Sequence, residues 1–220
     1  MRLTLSSGTE ASLATPAGGS PEMGLVVATD IFGLRPLFDD LAQRLADEWS
    51  MTVCAIEPFP GHPELTDDLP PRQALMAQMS DDDHLRDALE AADATGCDRV
   101  GMIGFCMGGM FTLKASRSDR WHRLASFYGM IHIPDGWEGP AVTDPLQHLA
   151  NGHPERVLAF VGGQDPFTPA ADIDELEAAG VTVVRYPEAE HGFAHDATRP
   201  SHRADDAADA FARAHTWLTT

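Results

Sequence analysis

Apolar positions along the chain follow two periods. Short unbroken apolar runs recur at GLVVAT (24–29), TVCAI (52–56), RVGMIGF (99–105), LASFYG (124–129), VLAFVGG (157–163) and VTVVRYP (181–187), and each predicts a buried strand. Between them the period lengthens to that of a helix. After Pro36, residues Leu37, Leu41, Leu45 and Trp49 fall four apart on one face. Helices are likewise predicted at DHLRDALEAADAT, stopped by Gly96, from Gly108 to about Ser116, at PAADIDELEAAG and at ADDAADAFARAHTWL. LTL and EASLAT around Ser7-Gly8 predict a short N-terminal hairpin. Pro16–Pro21 reads as a linker, and residues 57–82 as a long proline-rich loop with a short helix over Pro71–Met79. Alternating strands and helices predict an α/β fold: a mainly parallel central sheet with helices on both faces. No repeat breaks the pattern, so residues 1–220 read as a single domain.

Composition narrows the function classes. Charged residues are 22% and hydrophobic ones 43%, which suits a globular chain rather than a disordered one. The formal net charge of −19 opposes phosphate backbones and anionic lipid, so neither nucleic acid nor a membrane is an expected partner. No apolar run reaches the ~18 residues of a membrane span, and the N-terminal segment lacks the apolar core of a signal peptide. Three cysteines, Cys54, Cys97 and Cys106, are too few for a disulfide framework. The expected setting is a reducing cytoplasm.

Three positions carry candidate chemistry. Gly104-Phe105-Cys106-Met107-Gly108 lies between a predicted strand and a predicted helix. A nucleophile there sits in a sharp turn, with glycines removing side chains that would collide. The helix N-terminus favours negative charge, and the thiolate is the nucleophilic form of cysteine. Asp165, in Gly162-Gly163-Gln164-Asp165, and His191, in Glu190-His191-Gly192-Phe193, each follow a strand end, where α/β sheets place their ligands. The chain order nucleophile, acid, histidine is that of the α/β-hydrolase fold. In that arrangement Asp165 orients the imidazole and His191 takes the proton from Cys106.

These segments, with Asp30-Ile31-Phe32-Gly33-Leu34 before them, resemble the dienelactone hydrolase family, a cysteine-dependent branch of the α/β-hydrolases. The resemblance covers most of the chain. It implies Cys106, Asp165 and His191 as a triad, with the Ile31 and Met107 backbone N–H groups as oxyanion hole. It also implies a monomer that hydrolyses an ester or enol-lactone through a thioester acyl-enzyme, with no metal or organic cofactor. Two positions depart from the family pattern. Asp30 stands where Glu is usual, a carboxylate that contacts the resting thiol; as the shorter Asp it has a second reading, a residue that shapes its loop. His195 stands where members that open dienelactones carry an Arg for the substrate carboxylate. His is a weaker partner, charged mainly below ~6.5.

Arg35 and Arg72 are the neighbouring cations available to hold an anionic substrate, or else are solvated surface charges. Phe32, Phe59, Trp137 and Phe193 are loop aromatics suited to wall a pocket or to pack. His62, His132, His148 and His153 read as solvated, as does the run Asp81-Asp82-Asp83 at a helix start. His191 and His195 have metal spacing only on a helix, which Gly192 opposes. Two other functions fit the same residues. One is a thioesterase or acyltransferase; the other is a catalytically silent hydrolase-fold protein that binds ligands.

Overall fold

The computed structural model describes residues 1–18, 21–62 and 65–220. Parts of the expected Pro16–Pro21 linker (Gly19, Ser20) and of the 57–82 loop (Pro63, Glu64) lie outside the described residues. Strands β1 (Arg2–Thr4) and β2 (Glu10–Ala14) form the hairpin. They are followed by β3 (Met23–Ala28), β4 (Thr52–Ile56), β5 (Arg99–Phe105), β6 (Trp121–Phe127), β7 (Val157–Gly162) and β8 (Thr182–Tyr186). All eight form one sheet in the order β1-β2-β4-β3-β5-β6-β7-β8. The pairs from β4 through β8 are parallel; β1 and β2 add an antiparallel edge.

Alternation along each strand divides the core into two layers. Leu25, Val27, Phe105 and Phe127 face α1 (Pro36–Trp49) and α7 (Ala204–Thr219). Val26, Ala28, Cys54 and Met102 face the other way, into the layer that holds side chains of α3 (Asp81–Ala94), α4 (Met107–Ala115), α5 (Pro145–Ala150) and α6 (Ala170–Ala178). Pro36 opens α1 at its first turn, and the chain leaves through the left-handed Ser50. Helix α2 (Leu69–Met76) starts and ends earlier than predicted, and α5 was not anticipated, being shorter than two turns. No helix among the described residues is long and apolar enough to cross a membrane.

Two residues expected in solvent are buried. Asp81 opens α3 where that helix meets α4 and α5. Its carboxylate accepts from Lys114 Nζ at 2.7 Å and the Thr143 backbone N–H at 2.7 Å, and meets His148 Nε2 at 3.2 Å. Lys114 and His148 are buried with it. Burial opposes the Asp81 charge, but the His148 and Lys114 contacts outweigh it and hold its pKa below the ordinary value. Removing one partner of such a pair leaves a buried charge unmatched. Lys114→Ala is therefore expected to lower stability by about 3–5 kcal/mol, measured as a fall in the guanidinium midpoint at constant m. The Asp81 contribution is present above the unfolded carboxylate pKa of about 3.9 and is lost as pH falls through the lower folded value.

Candidate active site

The C-terminal ends of β3, β5, β6, β7 and β8 converge on one region. At the end of β5 the backbone turns abruptly into α4. Cys106 adopts φ 57° and ψ −117°, a left-handed geometry that side chains rarely take. Its N–H donates to Phe127 O at 3.0 Å, and its carbonyl accepts from Met110 N at 3.0 Å. Two glycines make the turn possible. A Cβ at Gly104 would lie 2.1 Å from Gly108 O, and one at Gly108 would lie 2.2 Å from Ala28 O. The helix start thus packs directly on strand backbone. Met107, the first residue of α4, has an amide with no acceptor within its own helix.

His191 follows β8 and Asp165 follows β7. His191 Nδ1 meets Asp165 Oδ2 at 2.8 Å, and His191 borders the same cavity as Cys106. Burial disfavours the imidazolium, but the bond to Asp165 and the nearness of Asp165 and Cys106 prevail, pushing the His191 pKa up to about 10. Asp165 is buried, and its second oxygen accepts from the Phe167 N–H at 2.8 Å. Close approach of the β7 and β8 loops is what joins the pair: a Cβ at Gly162 would lie 2.4 Å from Ala189 O.

Asp30, just past β3, is buried and saturated with donors. Arg35 grips it with two bonds, Nη1 to Oδ1 at 2.6 Å and Nη2 to Oδ2 at 2.9 Å. The Phe32 N–H donates to Oδ1 at 3.0 Å, His195 Nε2 meets Oδ2 at 2.9 Å, and Arg199 Nη2 reaches Oδ2 at 3.4 Å. Burial opposes this charge, yet His195 and Arg35 hold the Asp30 carboxyl well below the usual carboxylate range. These contacts tie Asp30 to its own loop, and it also lines the cavity that contains Cys106.

Cys106, His191, Asp30 and Ile31 line a cavity of about 650 Å³, with Phe32, Trp137, Phe167 and Arg199 among its other walls. Four residues expected at the substrate lie elsewhere. His195 has no exposed side-chain surface; it is clamped between Asp30 and the Tyr128 hydroxyl, 2.5 Å from Nδ1. Phe193 is buried between Tyr128 and Tyr186. Arg35 is turned to Asp30 and borders a neighbouring hollow of about 510 Å³. Arg72 borders that hollow too, donating to Ile31 O at 3.2 Å and Thr66 O at 2.9 Å. Arg199 and Phe167 were not anticipated. Arg199 sits beyond the histidine motif on a segment with no periodicity, and only the fold returns it to Asp30. Phe167 lies two residues from Asp165, which was the available signal.

A model of the dienelactone hydrolase family matches residues 9–220. The chain belongs to the dienelactone hydrolase family. Its relatives include the putative carboxymethylenebutenolidase of Synechocystis sp., 30% identical over 90% of this chain and 86% of that protein. The carboxymethylenebutenolidase of Rhodococcus opacus is 31% identical over 84% of this chain and 75% of its own. Among solved structures, a putative dienelactone hydrolase from Klebsiella pneumoniae superposes with TM-score 0.86 at 24% identity, covering 100% of this chain and 98% of that one. An esterase from Pyrobaculum calidifontis superposes with TM-score 0.65 at 15% identity, covering 99% and 83%. These likenesses show the α/β-hydrolase fold, and membership of the family makes the chain a hydrolase of the ester and lactone class.

In this member of the family the turn at Cys106 depends on glycine. Gly108→Ala presses a methyl group onto strand carbonyls that cannot rotate away. It is expected to cost about 1–3 kcal/mol and to displace Cys106, read as a lower melting temperature together with loss of esterase activity.

Proposed function

We propose that this dienelactone hydrolase family member cleaves esters or enol-lactones by acyl transfer to Cys106, with His191 and Asp165 completing a triad. The observation that carries the reading is the pairing of His191 with Asp165 at a cavity that His191 shares with a cysteine held in a left-handed turn at a helix start. Cys106 gives its thiol proton to His191, its sulfur forms a bond to the substrate carbonyl carbon, and the carbonyl π pair moves to oxygen. The Ile31 and Met107 N–H groups receive that oxyanion, each such donor being worth a few kcal/mol in comparable sites. Collapse breaks the bond to the leaving oxygen, which takes the proton held on His191. Water then attacks the thioester and gives its proton to neutral His191. The sulfur departs, and the acid is released. Asp165 keeps the imidazole in register through both steps.

Among the described residues Arg199 is the arginine that borders the cavity. With 27% of its side chain exposed and its guanidinium beside Asp30, it supplies a fixed positive group against the net charge of −19. We assign it to a substrate carboxylate, in keeping with the carboxymethylenebutenolidase name that the relatives carry. Asp30 is then a positioning residue that anchors this arginine and the loop bearing Ile31.

Hydrolysis of p-nitrophenyl acetate tests the nucleophile. Cys106→Ala is expected to lower kcat/KM by at least about a thousandfold; turnover equal to wild type would overturn the reading. Arg199→Met is expected to raise KM for a carboxylate-bearing lactone about tenfold more than for p-nitrophenyl acetate, from loss of a charge-assisted pair.

A further inference from the structure

Among the described residues five buried side-chain polar atoms have no hydrogen-bond partner: His84 Nε2, Asp87 Oδ1, Ser116 Oγ, Arg123 Nε and Thr168 Oγ1. Such atoms are uncommon in a folded chain, and two that occur together call for a common cause. His84 and Asp87 do occur together. They stand three residues apart on α3, hence on one face of it, and both line a cavity of about 260 Å³. That cavity is distinct from the one at Cys106, and among the described residues the two share no wall. Helix α2 contributes to each: Leu69 and Gln73 line the Cys106 cavity, and Leu75 lines this one.

The two side chains are fixed and differ in charge. His84 is 6% exposed, and its ring lies against that of Phe111 with centroids 3.8 Å apart. Burial and the nearby charge of Lys114 push its pKa down to about 4, so at neutral pH the imidazole is uncharged and offers one donor and one acceptor. Asp87 is 5% exposed, and its Oδ2 accepts from Thr9 Oγ1 at 2.5 Å. The cations nearest in the fold are engaged elsewhere: Lys114 holds Asp81 at 2.7 Å, and Arg86 holds Asp83 at 2.8 Å. No lysine or arginine stands among the described walls, which are apolar at Phe59, Leu75 and Met79.

These features choose the occupant. A carboxylate oxygen only accepts, so the occupant must donate. A buried carboxylate without a cation favours a positively charged donor. A metal ion needs more ligands than these two, and no group of three candidate ligands is present among the described residues. A primary ammonium group carries three N–H donors on one nitrogen, enough to serve two side chains on adjacent turns of one helix.

We propose that this cavity is a binding site for a small organic ammonium ion, whose N–H groups are donated to Asp87 and His84 and whose apolar body rests on Phe59, Leu75 and Met79.

The test titrates isotope-labelled protein with n-butylammonium chloride, n-butanol and tetramethylammonium chloride, following backbone amide shifts by NMR. It is run at neutral pH and about 0.15 M salt, which screens non-specific attraction of cations to the acidic surface. The expected result is saturable binding of n-butylammonium with Kd about 1 mM, its shifts confined to α3 and the segment from Leu75 to Ser80. n-Butanol lacks the charge and tetramethylammonium lacks the donors, and each is expected to bind at least about tenfold more weakly. Asp87→Asn keeps an oxygen for Thr9 and is expected to raise the n-butylammonium Kd about tenfold; His84→Phe is expected to raise it about threefold. The proposal is overturned if n-butanol binds within twofold of n-butylammonium, if Asp87→Asn leaves the Kd within twofold of wild type, or if the shifts fall around Cys106 instead. The three-ligand comparison on the wild-type protein decides the matter alone should Asp87→Asn fail to fold.

Discussion

The site depends on one backbone constraint, the left-handed turn at Cys106. A residue with a side chain resists that conformation, so the surrounding structure must hold it. Here the hold comes from backbone packed on backbone: the first turn of α4 rests on the end of β5 and on the carbonyls of Ala28 and Thr29. The same contact sets the start of α4 against the β3 loop. One close approach thus places the sulfur, the free amide of Met107 and the segment that carries Ile31 relative to one another. That placement is set by main chain alone, without any flexible side chain between the two segments.

Around this turn, two carboxylates divide the work. Asp165 reaches His191 and the Phe167 N–H with its two oxygens, so it ties the imidazole to the aromatic wall of the cavity. Asp30 takes Arg35, His195, Arg199 and the Phe32 N–H. A carboxylate has roughly four acceptor positions, and these donors fill them. It is an anchor for its own loop and for Arg199. The net charge of −19 acquires a local counterpart in this way: the acidic residues include one that gathers two arginines and a histidine, and of these Arg199 borders the cavity.

Much of the fold was legible in sequence because parallel strands buried on both faces are written as unbroken apolar runs. GLVVAT and RVGMIGF could hardly be anything else. The first helix was predicted from Leu37, Leu41, Leu45 and Trp49; the structure buries Phe38, Leu41 and Leu45 most deeply and leaves Leu37 and Trp49 at the border, a small rotation of the face. The short α5 escaped because fewer than two turns carry no periodicity. His148 and Asp81 were read as solvated because a polar residue announces nothing about a partner many residues away; Lys114 supplies it only when α3 and α4 pack.

The sequence by itself determined the sheet, its helical cover, and the three turns that carry Cys106, Asp165 and His191, because local propensity and turn chemistry act over a few residues. It also named the family, through motifs that are local in the same sense. Only the tertiary structure decided which charges face the cavity. His195 and Arg199 are four residues apart on the same segment, yet one is sealed against Tyr128 and Asp30 while the other reaches the open space. Their difference is set by long-range packing, which fixes where each side chain ends, and no local pattern in the chain records it.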